Sequence, residues 1–139
     1  EGELFSLALF DTLLLQYKNT PLEKKLSSIF EKIRQSLPST VTIDSRFLDG
    51  SLTYIPDALA PIENEVFDAV FSGLKKKQTL SFEYKPLQKT TFMERKIDPY
   101  HIICQRGNWY VIGKCHLKNE IRIFSFSRMQ NVQLTKDRF

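Results

Sequence analysis

A chain of 139 residues, 42% of them hydrophobic, holds one ordinary domain or two very small ones and can bury a core. No apolar run approaches the ~18 residues of a membrane span, and the opening EGELFSLALF carries acids where a signal peptide carries bases, so a cytoplasmic protein is expected. The net charge of +4 is uneven: residues 1–60 hold 6 Lys+Arg against 8 Asp+Glu, whereas residues 61–139 hold 14 against 8, which points to an anionic partner for the second half.

In ELFSLALFDTLLLQYK, Leu4, Phe5, Leu7, Ala8, Leu14 and Leu15 recur at helical spacing and predict a first helix with a broad apolar face. The next start is well marked. Thr20 is placed to cap, Pro21 to occupy the first helical position, and Glu23 to complete a Thr-x-x-Glu box. Leu22, Leu26, Ile29, Phe30, Ile33 and Leu37 then form one face until Pro38 ends the helix. The two helices read as an antiparallel hairpin, too small a unit to stand alone, whose apolar faces need a neighbouring domain or a second subunit. A chain that opens on Glu1 rather than Met is expected to be a piece of something longer, with a neighbour preceding it.

VTIDSRFLDGSLTYIPDALAP reads as a connector broken by Asp49-Gly50 and Pro56. Pro61 then opens a third helix whose stripe is Ile62, Val66, Phe67, Val70, Phe71 and Leu74. The run Lys75-Lys76-Lys77 at its end reads as a solvated helix terminus. From Thr79 the period changes to 2: LSFEYK, MERKID, HIICQ, WYVIGKC, IRIFSF and NVQLT are short strands with turns at Lys85-Pro86, Gly107-Asn108 and Lys118-Asn119. The expected fold is α+β: an N-terminal helical hairpin or linker over residues 1–60, then a helix-capped, Sm-like (SH3-like) five-stranded antiparallel β-barrel over residues 61–139.

Chemistry-bearing residues are few. Cys104 and Cys115 flank the Gly107-Asn108 turn, but pairing about it sets Cys104 opposite Val111 and Cys115 near Tyr100, so no disulfide is expected. His101 and His116 lack metal-ligand spacing, and neither a Gly-rich phosphate loop nor a nucleophile with its base is visible. Neither an enzyme, a metal nor a cofactor is therefore expected. Arg95 shares strand parity with Met93 and Ile97, which aims a guanidinium at the apolar side; either the strand bends there or Arg95 faces a polar cavity. Arg122 shares parity with Phe124 and Phe126, and Arg128 follows at the strand's other end. Two such planar forks suit one phosphate or carboxylate, although each could instead pair with an acid such as Glu83, Glu94 or Asp98. Tyr84 alternates with Leu80 and Phe82 as a core-rim aromatic, and His101 is either a donor to the same site or the cap of an exposed strand start.

The ordered set Arg95, Asp98-Pro99-Tyr100, Gly107-Asn108-Trp109-Tyr110-Val111-Ile112-Gly113, Arg122-x-Phe124 and Ser127-Arg128 resembles the WYL domain of bacterial transcription regulators, with Val111 in place of the leucine. QYKNTPLEKKLSSIFEKI is similar to the helical linker that precedes this domain in those regulators. The resemblance implies an Sm-like barrel that senses an anionic effector, single-stranded nucleic acid or a nucleotide, in a homodimer that contacts operator DNA through a helix-turn-helix domain absent from this sequence. It places the ligand-binding residues at Tyr84, Arg95, Tyr100, His101, Arg122 and Arg128, and leaves Trp109 a structural role. The alternatives are a stand-alone Sm-like RNA-binding module and, more remotely, an enzyme that turns over a bound nucleotide.

Overall fold

The computed structural model describes residues 6, 9–10, 13–18, 20–38 and 57–139. The chain divides into two compact units, Glu1–Leu59 and Ala60–Phe139. Part of the helix expected over residues 3–18, and the connector as far as position 56, lie outside the described residues. Ser6, Leu9, Phe10 and Leu13 are helical, and the segment tightens into a 3-10 turn at Leu14–Tyr17.

Helix α1 spans Leu22–Ser36 with Pro21 as its cap residue. The sequence pointed to Thr20 as the cap; instead its hydroxyl donates to the Tyr17 carbonyl at 2.6 Å, and the Glu23 amide takes the Thr20 carbonyl at 3.1 Å. A threonine hydroxyl readily back-bonds a carbonyl three residues earlier, so Thr20 closes the preceding turn. Phe30 is buried, stacked on Phe10 at 5.5 Å, with the Arg34 guanidinium 5.1 Å from its ring centre. On the same helix Ile29 stays 53% and Ile33 40% exposed. Leu37 is extended (ψ 144°), as a residue before proline must be, and the helix ends there.

In the second unit α2 spans Asn64–Lys76, starting three residues after Pro61, where sequence had placed the start. Its first bond runs from the Phe67 amide to the Glu63 carbonyl at 3.2 Å, which leaves Pro61 and Ile62 ahead of the helix. Val66, Phe67, Val70 and Gly73 form its buried stripe, and Lys77 closes it in the left-handed conformation (φ 51°). Gly73 lets α2 approach the sheet: a Cβ there would fall 2.5 Å from the Leu80 side chain.

Five antiparallel strands follow: β1 Gln78–Tyr84, β2 Met93–Gln105, β3 Asn108–Cys115, β4 Glu120–Ser125 and β5 Met129–Arg138, in the order β4-β3-β2-β1-β5. The class is α+β, and β4 and β5 stand at the two edges of the ladder. MERKID and HIICQ, expected as separate strands, are one. Pro99 has no amide to give the ladder, and β2 absorbs this with a register shift between Pro99 and His101 instead of a break. The β2–β3 turn centres on Arg106-Gly107 (φ 50° and 78°), one residue earlier than the sequence placed it. Positive φ at both central residues matches the twist of a two-residue hairpin. Cys104 therefore faces Trp109 and Cys115 faces Ile97, and both thiols are free.

Alternation aims Leu80, Phe82 and Tyr84 of β1, Ile97 of β2, Trp109 and Val111 of β3 and Phe124 of β4 into the core beneath α2. Trp109 joins the layers: its ring lies 5.1 Å from Phe67 and 6.0 Å from Phe71 on α2, and 6.4 Å from Phe126. One buried polar knot accompanies this core. The Asp98 carboxylate accepts from the Thr79 hydroxyl at 2.6 Å and pairs with His116 Nε2 at 2.8 Å, tying β1, β2 and the end of β3 together.

Candidate functional site

The 3-10 turn Phe126–Arg128, which carries the chain from β4 to β5, forms one wall of a cleft of about 320 Å³. Phe126, Ser127, Arg128, Met129 and Gln130 line it together with Pro61, Ile62 and Glu63 ahead of α2 and Phe92 from the β1–β2 loop. The Lys85 amide donates to the Arg128 carbonyl at 3.0 Å and pins the turn to the end of β1. The Lys85 ammonium lies 6.0 Å from the centre of the Phe92 ring, a cation over an aromatic that is itself 43% exposed. The opening thus combines an arginine, an accessible ring, a hydroxyl and an amide, with Glu63 as its one carboxylate.

Of the six residues singled out from sequence, Arg128 is the one that lines this cleft. Tyr84 is buried at 8% exposure, its ring at 5.0 Å from Phe124, and its hydroxyl accepts the Ser125 amide at 3.3 Å. Arg95 does fall on the core face, opposite Phe82; half-buried, it donates to the Glu94 carbonyl at 2.7 Å and reaches the Met93 sulfur at 3.7 Å. Arg122 also has core-face parity, opposite Gly113, but is exposed at the other end of β4, and its Nε donates to Glu120 at 2.6 Å. Tyr100 meets Phe139 edge-on at 5.5 Å, and His101 is exposed opposite Ile112. Two of the three acids weighed as arginine partners are otherwise engaged: Glu83 accepts from Gln130 and Asn131 at 2.6 and 2.9 Å, and Asp98 belongs to the buried knot.

Sequence reasoning missed Phe92, Lys85 and Gln130. The signal was there in KPLQKTTF, an aromatic closing a lysine-bearing loop, but only folding sets it beside Arg128. Among the described residues no group of three or more His, Cys, Asp and Glu side chains is placed to hold a metal ion, and no helix is long and apolar enough to cross a membrane. Cys104, beside the hairpin turn, has its thiol pushed above the usual 9.0 by burial, partly offset by a hydrogen bond from the Gly107 backbone.

The profile of the WYL domain matches residues 65–134, from the first turn of α2 to the middle of β5. The chain belongs to the WYL domain family. This WYL domain chain is 26% identical over 117 residues to the uncharacterised HTH-type transcriptional regulator YobV of Bacillus subtilis (strain 168), a match covering 81% of the chain and 36% of that protein. It is 27% identical over 60 residues to PafB of Mycobacterium leprae (strain TN), covering 43% of the chain and 18% of that protein. The chain thus spans about a third of the one relative and a fifth of the other. In three dimensions it is similar to proteasome accessory factor B/C (PafBC) of Arthrobacter aurescens at a TM-score of 0.50, with 24% identity over 68% of this chain and 14% of that one, a likeness of fold.

Proposed function

We propose that the chain is the effector-sensing part of a bacterial transcription regulator, acting in the cytoplasm and without catalysis, with its effector site at the Arg128 cleft. The observation that carries this reading is an arginine and an exposed aromatic lining one cleft in a WYL domain. Arg128 gives a planar fork for phosphate or carboxylate, and Phe92 gives a face for a base, worth about 1–3 kcal/mol where a base stacks. The effector class is a nucleotide or a short single strand of nucleic acid, whose binding weakens as salt rises. Arg95, Arg122, Tyr84, Tyr100 and His101 extend the proposal as further contacts. The return of β5 beside β1, through a 3-10 turn after β4, supports an Sm-like sheet.

Effector binding would act by population shift. It favours whichever arrangement of the sensing unit and the helical segment binds the anion better, and so repositions a DNA-binding domain on operator DNA. The exposed Ile29 and Ile33 of α1 support a role for residues 1–60 in homodimer formation. The test is a titration with single-stranded DNA, RNA and cyclic nucleotides, comparing the natural chain with Arg128→Ala and Arg122→Ala. Loss of binding in Arg128→Ala is expected; equal affinity in all three proteins sinks the cleft.

The compactness of Ala60–Phe139 as a unit favours a second reading, a stand-alone Sm-like RNA-binding module. It requires RNA affinity, and a monomeric state, that are the same with and without residues 1–40.

A further inference from the structure

The Arg128 cleft uses little of the positive charge of the second unit. Three exposed cations, Lys75, Lys76 and Lys77, end α2. The carbonyl end of a helix favours a cation or two in its last turn, which explains part of that run. It does not explain why β5 brings more to the same place. Gln78 and Arg138 are ladder partners, and the Phe139 amide donates to the Lys77 carbonyl at 3.3 Å, so the end of β5 is bonded to the end of α2. Lys136 and Arg138 share one face of β5 by alternation, and Asp137 falls on the other. None of these five side chains has a carboxylate within ion-pairing distance among the described residues, whereas Arg122 and His116 each have one. Five exposed cations from two elements, without an ion-pair partner among the described residues, are thus gathered where the end of β5 is bonded to the end of α2.

The aromatics beside them narrow the partner. Tyr100 is 46% and Phe139 40% exposed, but their rings meet at 5.5 Å and 60°. Each ring is partly occupied by the other, so the pair is a poor platform for an unstacked base. Lysines are point charges on mobile stems, suited to evenly spaced phosphates rather than to a planar group held in one orientation. We propose that this end of the sensing unit, built from Lys75, Lys76, Lys77, Lys136 and Arg138, binds the phosphate backbone of duplex DNA without regard to sequence. The surface is separate from the Arg128 cleft and does not depend on it.

The experiment is fluorescence anisotropy of the whole chain with a short labelled duplex of mixed sequence, a single strand of the same length and polyglutamate, over roughly 50 to 200 mM salt. Replacing Lys75, Lys76 and Lys77 by Gln is expected to weaken duplex binding about tenfold or more at low salt and to make the salt slope shallower by about 2 to 3. A charge-matched control, Lys96→Gln with Lys114→Gln and Lys118→Gln, removes exposed cations elsewhere on the same unit and is expected to cost far less. Arg128→Ala is expected to keep duplex binding, so failure of the effector cleft and failure of this surface read out separately. Equal losses in control and test variants, no duplex binding by the natural chain, or binding confined to the single strand or to polyglutamate would overturn the proposal.

Discussion

Gly113 and Gly73 carry a similar constraint with different consequences. A Cβ on Gly113 would run into the Asp98 carbonyl oxygen, a main-chain atom held between two ladders, whereas one on Gly73 would meet only the end of the Leu80 side chain. Alanine also gains about 1 kcal/mol over glycine inside a helix. Gly113→Ala is therefore expected to destabilise by about 1–3 kcal/mol, and Gly73→Ala by clearly less, in urea titrations of the two variants. Equal effects would show that the β2–β3 contact yields as easily as a leucine side chain. The cysteines separate in the same way. Cys115 is fully buried, while Cys104 is accessible with its thiol raised above 9.0 by partial burial. At mildly alkaline pH one thiol is expected to react, more slowly than a free cysteine, and the second only on denaturation. Because the folded pKa is the raised one, the unfolded chain ionises first as pH climbs. The stability that Cys104 contributes is present below its unfolded pKa and lost as pH rises through the folded value. Two thiols reacting at one rate in the native protein would contradict these placements.

Among the elements, the β2–β3 hairpin shows how a turn decides what a strand presents. Arg106 is a non-glycine residue in the left-handed region, at φ 50°, which costs a side chain with a Cβ about 1–2 kcal/mol. Asparagine tolerates that conformation better and is favoured ahead of glycine in such turns. Arg106→Asn is expected to raise stability by a few tenths to about 1 kcal/mol with no change in fold, measured as a higher urea midpoint at unchanged slope. A lower midpoint would mean that the Arg106 side chain has a stabilising contact elsewhere. The hairpin also shows why the sequence placed Cys104 opposite Val111 and Cys115 near Tyr100 rather than opposite Trp109 and Ile97: moving the turn by one position changes every partner along β2 and β3, and the shift at Pro99 changes them again.

At the scale of the molecule, Ala60–Phe139 has its own helix, sheet and aromatic core. Eighty residues in this arrangement are enough for a domain that folds alone, and residues 60–139 are expected to unfold in one cooperative, reversible transition followed by circular dichroism. A non-cooperative melt would show that the first unit completes the core. Among the described residues of the first unit, Ile29 and Ile33 are exposed. These exposed apolar side chains are what supports the proposed role of the first unit in homodimer formation. Within the second unit Arg128 lines a cleft while Lys75, Lys76 and Lys77 lie at the end of α2.

Local periodicity determined much of this protein. Helical spacing marked α1 and α2, alternation marked the strands, and strand parity placed Arg95 and Arg122 on the core face, where Phe82 and Gly113 oppose them. The motif set that resembles WYL domains is likewise a property of residues close in sequence. What parity could not supply was convergence. Whether two guanidinium groups meet depends on register across several ladders, and here the Arg106-Gly107 turn, the Pro99 shift and the 3-10 turn before β5 set it. Arg122 finds Glu120, while Arg128 finds Phe92 and Pro61 from distant parts of the chain. Side-chain period is short-range and legible in sequence; the meeting of remote segments is decided by packing, and only the tertiary structure contains it.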